Sequence, residues 1–144
     1  MNYMKHAIMY ADGGARGNPG PAAGGAVLYS VDAHGDPDEK IAEASEYLGV
    51  ATNNVAEYTG IIVGLRKARE FGIEELDVRL DSELAVKQLN GEYRVKNPAL
   101  ARLFVDVHNL RSQFRRITFT HVRRAYNVAA DAVVNSTIDA AMGM

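Results

Sequence analysis

The stretch TNNVAEYTGIIVGLRKAREFGIEELDVRLDS, Thr52–Ser82, holds the change of pattern from which the fold can be read. Its first part has helical period: Tyr58, Ile61, Ile62, Leu65 and Ala68 recur at three- and four-residue steps and form one apolar stripe. Asn in the run Thr52-Asn53-Asn54 is expected to cap the start, and Gly72 suits the position just past the end. Leu76 to Leu80 then alternate apolar and polar, as a short strand does, and stop at Asp81-Ser82, which can cap a second helix ending near Gly91. Such strand–helix alternation is the pattern of parallel strand pairing.

Upstream the pattern is different. Lys5 to Ala11 reads as a strand stopped by Asp12-Gly13-Gly14. Two further strand-like segments, about residues 22–31 and 40–49, flank a turn-rich run from Asp32 to Glu39. Three consecutive strands suggest an antiparallel meander. Downstream, Asn97-Pro98 reads as the cap and first residue of a third helix, whose expected buried face is Leu100, Leu103, Phe104, Val107, Leu110 and Phe114. Ile117 to Val122 returns to a strand pattern, and Asn127 opens a last helix. The order β-β-β-α-β-α-α-β-α predicts an α/β fold, a mixed sheet with helices packed on it.

The chain has 144 residues and an apolar fraction of 47%, enough for one core, so a single domain over 1–144 is expected. There is no repeat and no linker-like tract, which favours a free-standing domain over a piece of a larger reverse transcriptase or bifunctional enzyme. Without cysteine there is no disulfide and no thiolate metal site. No run approaches the roughly 20 apolar residues of a membrane span, and Met1 to Tyr10 lack the order of a secretory leader. The expectation is a cytoplasmic monomer without membrane contact. The first 90 residues carry 8 Lys/Arg against 14 Asp/Glu, and the rest carry 8 against 4. The basic C-terminal part fits either a phosphate backbone or solvated helix faces.

The chemistry-bearing residues are acids that interrupt apolar patterns. Asp12 ends the first strand, Glu57 sits near the start of the first helix, Asp81 ends the fourth strand and Asp131 lies early in the last helix. If the first and fourth strands are parallel neighbours, Asp12 and Asp81 emerge at one sheet end, within reach of the helix carrying Glu57. Clustered carboxylates raise one another's pKa values unless a cation neutralises them. An all-oxygen set favours Mg²⁺ or Mn²⁺ over zinc. Two such ions can activate a water and stabilise the leaving oxygen of a phosphodiester. Each acid also fits a structural role: a turn at Asp12-Gly13, a capping box of Glu57 with Asn54, a helix cap at Asp81, and a favourable dipole contact at Asp131. Spacing alone leaves both readings open.

The local motifs favour the chemical one. Asp12-Gly-Gly-Ala-Arg-Gly-Asn-Pro-Gly-Pro21 closely resembles the opening signature of the type 1 ribonucleases H. Thr52-Asn-Asn-Val-Ala-Glu57 looks like the second signature, Asp81-Ser82 like the third, and Asn127-Val-Ala-Ala-Asp131 like the fourth. All occur in family order, and the similarity spans about residues 5–140. The resemblance implies the ribonuclease H fold, a five-stranded mixed sheet with helices on its faces. It implies that Asp12, Glu57, Asp81 and Asp131 bind two Mg²⁺ ions, with Mn²⁺ able to substitute. The implied reaction is hydrolysis of the RNA strand of an RNA–DNA hybrid to 5′-phosphate and 3′-hydroxyl ends. It further implies substrate contacts by Gly13, Gly14, Asn18, Asn53, Asn54 and Asn127, with Thr52 holding a phosphate of the DNA strand. Minor-groove contact is where the 2′-hydroxyl separates RNA from DNA. A nucleotide phosphate loop at Gly13–Gly20 is disfavoured, since no Gly-Lys-Ser/Thr follows.

Two family features are missing. Many members carry a Gly-His-x-Gly-His loop before the last aspartate, whereas this chain reads Thr120-His-Val-Arg-Arg-Ala-Tyr-Asn127. His121 falls at the matching gapless distance from Asp131 but inside a strand pattern, so it reads as a strand residue. Arg124 becomes the candidate to approach the scissile phosphate, as in a compact subgroup with Arg in this loop; a solvated surface arginine is the alternative. The basic protrusion between the second and third helices is also absent, with Gly91 to Asn97 joining them directly. Two other functions stay open: a ribonuclease that also cuts double-stranded RNA, and a non-catalytic nucleic-acid-binding module of the same fold.

Overall fold

A computed structural model describes residues 5–144; the leader reading of Met1 to Tyr10 lies partly outside them. The strands are β1 (His6–Ala15), β2 (Gly20–Val31), β3 (Pro37–Ala51), β4 (Glu75–Leu80) and β5 (Arg116–His121). The helices are α1 (Asn53–Glu70), α2 (Glu83–Leu89), α3 (Pro98–Arg111) and α4 (Val128–Ala141), with a 3₁₀ turn at Arg124–Tyr126. The sheet order is β3-β2-β1-β4-β5. β1 pairs antiparallel with β2, which pairs antiparallel with β3, while β1–β4 and β4–β5 are parallel. The mixed sheet expected from the element order is therefore present.

The two faces of the sheet are covered unequally. Ala7, Met9 and Ala11 of β1, Leu76, Val78 and Leu80 of β4, and the stripe Tyr58, Ile61, Ile62, Leu65 and Ala68 of α1 join one core. On the opposite face α4 covers β1 and β2 through Ala23, Val134 and Ile138. The paired glycines of β2 reflect this double coverage. A Cβ at Gly24 would stand 2.3 Å from the Gly60 nitrogen of α1, and one at Gly25 would stand 2.9 Å from a Val133 methyl of α4.

Several boundaries differ from the sequence reading. β1 does not stop at Asp12: its ladder with β2 continues to the pair Ala15–Ala22, so the glycine-rich segment is paired strand. Thr52, rather than an asparagine, caps α1, its hydroxyl oxygen accepting from the Val55 N–H at 3.3 Å. Ser82 caps α2 in the same way through Ala85 N–H at 3.2 Å, which leaves the Asp81 carboxylate uncommitted to the cap. Asn97 and Pro98 open α3 as expected. Of its apolar face, Leu100, Val107 and Phe114 are buried, but Leu103, Phe104 and Leu110 only partly, because α3 packs chiefly on α1 rather than on the sheet. No helix among the described residues is long and apolar enough to cross a membrane.

Candidate active site

Parallel pairing fixes the first two acids. Ala11 of β1 lies opposite Leu80 of β4, so Asp12 and Asp81 follow side by side where β4 ends and β1 runs on. Glu57 arrives from above because α1 sits unusually close to β1. A Cβ at Gly13 would lie 2.1 to 2.2 Å from the backbone of Ala56 and Glu57, an approach that only glycine permits. Asp131 comes from the first turn of α4 on the other face. Asn127, just before that helix, is 1% exposed and donates its amide to the Ala11 carbonyl at 2.9 Å, tying the start of α4 to the strand residue preceding Asp12.

The four carboxylates line one cleft of about 340 Å³, together with Gly13, Gly14, Asn53 and Arg124. Ala11, Ile61, Leu80 and Ala85 form an apolar wall behind Asp12, Glu57 and Asp81. Burial against it, then the Asp81 charge, and then the charges of Asp131 and Glu57 push the Asp12 carboxyl up to about 7; the Gly13 N–H opposes them. Burial also raises Glu57, against a hydrogen bond from the Ser82 hydroxyl and the nearby Arg124 charge, which lower it, while Asp81 adds to the rise. The fold thus holds acids where they repel each other, and a divalent cation would relieve that repulsion. Among the described residues, no three His, Cys, Asp or Glu side chains are grouped so as to hold one metal ion together. An open, oxygen-only set suits Mg²⁺, which keeps several waters and takes one or two carboxylates per ion.

Comparison with known proteins agrees with this architecture. Residues 10–137 match the family described as reverse transcriptase-like. The bifunctional protein Rv2228c of Mycobacterium tuberculosis is 47% identical over 134 residues, covering 93% of this chain but 36% of that protein. The structure of its N-terminal RNase H domain superposes with a TM-score of 0.87 at 46% identity, covering 96% of each chain. Ribonuclease HI of Halobacterium salinarum is 43% identical over 90% of this chain and 63% of its own length. LC11-RNase H1, solved with an RNA/DNA hybrid, gives a TM-score of 0.84 at 41% identity over 94% of this chain and 99% of that one. The chain belongs to the type 1 ribonuclease H family. It spans only about a third of the length of the mycobacterial relatives it matches.

Within this ribonuclease H fold the residues expected to touch substrate divide into three groups. Gly14, Thr52, Asn53, Asn54 and Asn18 cluster around the turn between β1 and β2 and the start of α1. Asn53 accepts from the Ala15 N–H at 2.8 Å, and its own N–H donates to the Asn18 side-chain oxygen at 3.1 Å. Both side-chain oxygens are thereby occupied, so the NH₂ group of each amide is the part left to donate. Asn54 and Thr52 are exposed beside them. Gly13 reaches the cleft, but its lack of a side chain is explained by the α1 contact alone. Asn127 stands apart from both: it is buried, with its NH₂ bonded to the Ala11 carbonyl and its side-chain oxygen without a partner.

His121 is the last residue of β5, exposed and outside the cleft, as the strand reading expects, whereas Arg124 lines it. The capping box proposed for Glu57 is not formed; its partner is Ser82. Sequence reasoning missed Ser82 as a support for Glu57, although the adjacent helix cap was the available signal. It also missed Arg16 and Asn135, which meet across 119 positions and give no local signal.

Proposed function

We propose that this chain is a ribonuclease H that hydrolyses the RNA strand of RNA–DNA hybrids with two divalent cations, leaving 5′-phosphate and 3′-hydroxyl ends. The observation that carries the reading is the convergence of Asp12, Glu57, Asp81 and Asp131, from four separate parts of the chain, on one cleft beside Asn53 and Arg124. A pure binding module would gain nothing from such a cluster, because it repels phosphate.

The four carboxylates would hold Mg²⁺, with Mn²⁺ as a substitute, and the bound ions would supply an activated water and charge stabilisation at the leaving oxygen. Gly14 leaves room for a sugar–phosphate backbone to approach, since the nearest atom to an added Cβ is a Val134 methyl at 3.8 Å. Asn53 and Asn18 would donate to minor-groove acceptors and to the 2′-hydroxyl, Asn54 would join them, and Thr52 would donate to a phosphate of the DNA strand. Arg124 would pair with the scissile phosphate, for which guanidinium geometry is suited. We read this chain as one ribonuclease H domain, which its single five-stranded sheet supports, and as a cytoplasmic monomer.

The test is a hybrid labelled on each strand, incubated with and without Mg²⁺, with end chemistry mapped on both strands. RNA-only cleavage that requires metal and leaves 5′-phosphates is expected. A matched RNA–RNA duplex tests the broader ribonuclease. Tight binding with no metal-dependent cleavage would identify a binding module instead.

A further inference from the structure

The acids of the cleft come from opposite faces of the sheet, Glu57 on α1 and Asp131 on α4, and the turn between β1 and β2 reaches both helices. On one side Asn18 accepts from the first N–H of α1 at 3.1 Å. On the other, the Arg16 guanidinium donates to Asp139 Oδ1 at 2.7 Å and to both the backbone and side-chain oxygens of Asn135 at 3.3 Å. Asn135 in turn donates its NH₂ to Asp131, to Oδ2 at 3.3 Å and to the backbone oxygen at 3.1 Å. Asp131, Asn135 and Asp139 stand one helical turn apart on one face of α4.

The chemistry of this row has a direction. An amide can point either way, but only one orientation satisfies both neighbours: oxygen towards the cationic Arg16 and NH₂ towards the anionic Asp131. Arg16 therefore selects the orientation in which Asn135 steadies the Asp131 carboxylate. Reversed, the amide would set its oxygen against a carboxylate. Asp131 needs such support because it is exposed at the open side of the cleft, whereas Asp12 and Glu57 are held against the apolar wall. Asp139, paired with Arg16, keeps the guanidinium from swinging across to Asp131 itself.

We infer that Arg16 is a positioning residue for Asp131, acting through Asn135. This rests on the reading of Asp131 as a metal-holding acid, and the experiment separates the two. Mn²⁺ is titrated calorimetrically into the substrate-free protein for the wild type, Arg16→Ala, Arg16→Lys, Asn135→Ala, the Arg16→Ala/Asn135→Ala pair and Asp131→Asn. Supports of metal ligands typically carry tenfold or more in affinity, so Arg16→Ala and Asn135→Ala are each expected to weaken Mn²⁺ by about tenfold. The double variant should be no worse than either single, because both break the same chain of contacts. Arg16→Lys should recover part of the loss, since lysine still sets a cationic donor against Asn135 and Asp139 but lacks the planar guanidinium.

Hybrid affinity measured without divalent metal, and its salt slope, should stay at wild-type values. If Arg16→Ala leaves Mn²⁺ affinity intact while Asp131→Asn weakens it, the inference is wrong and the metal reading stands. If Arg16→Ala instead lowers hybrid affinity and flattens the salt slope, Arg16 is a phosphate contact and the inference is wrong. If Asp131→Asn itself leaves Mn²⁺ binding unchanged, the metal role of Asp131 fails and takes this inference with it. Arg16→Lys and Asn135→Ala change exposed side chains and keep the test interpretable should Arg16→Ala fold poorly.

Discussion

Replacing Asp12 by Asn removes a charge from the cleft with almost no change in volume, so its effect on the metal-free protein isolates the electrostatic cost of the site. The Asp12 carboxyl is pushed from its ordinary 3.8 to about 7, first by burial, then by Asp81, with Asp131 and Glu57 adding to it. Each pH unit of such a displacement corresponds to about 1.36 kcal/mol, which sets a ceiling of roughly 4 kcal/mol for the cost of the charged form. Water in the open cleft screens part of this, leaving ~1–2 kcal/mol. Between pH 3.8 and about 7 the folded protein holds a proton that the unfolded chain has released, so this group's contribution makes stability fall as pH rises through that window. Below pH 3.8 Asp12 is neutral in both states and the Asn variant should match the wild type, whereas at pH 5 the unfolded chain has already ionised and roughly a third of the difference should have opened. At pH 8 the variant should be more stable by ~1–2 kcal/mol, or roughly 3–6 °C in Tm. The assay is thermal and urea unfolding of chelator-treated protein at both pH values, repeated with Mg²⁺. Added Mg²⁺ at pH 8 should raise the wild type more than the variant. An equal difference between the two proteins at pH 5 and pH 8 would refute the reasoning.

Further tests follow from the contacts. Gly13→Ala should cost about 3 kcal/mol or more by urea unfolding, because its Cβ meets rigid backbone of α1 at 2.1 Å. Gly14→Ala should stay within about 0.5 kcal/mol of the wild type and lose hybrid cleavage instead; equal stability losses at the two glycines would contradict the packing account. Asn127→Ala should lower stability by about 1–3 kcal/mol through loss of its buried bond to Ala11, and a neutral effect in chemical denaturation would remove its positioning role. In single-turnover cleavage at saturating enzyme, Arg124→Ala should slow the chemical step more than it weakens binding. His121→Ala should leave that step near wild type, and the reverse order would return the histidine to the mechanism.

Much of the fold was legible because its signals are local. The apolar stripe from Tyr58 to Ala68, the alternation from Leu76 to Leu80 and the Asn97-Pro98 start each depend on residues within a few positions. The order of elements was enough to forecast the mixed sheet. The four acids were legible as interruptions of those patterns, and the motifs around them linked them to one family. Tertiary structure decided what each neighbour of an acid does. Gly13 and Asn127 carry motif positions that suggest substrate contact, and the structure adds a packing demand to each: the approach of α1 at one and burial against β1 at the other. Asn135 lies in no motif, and Arg16, although it stands inside the opening signature, carries no mark of its partner there, because hydrogen bonds between residues 119 positions apart leave no periodicity in the chain. Sequence determines which side chains are available and where strands and helices begin. The crossing of β1 with helices on both its faces determines which carboxylates repel, which amides are oriented, and hence where a cation would relieve the strain of holding like charges together.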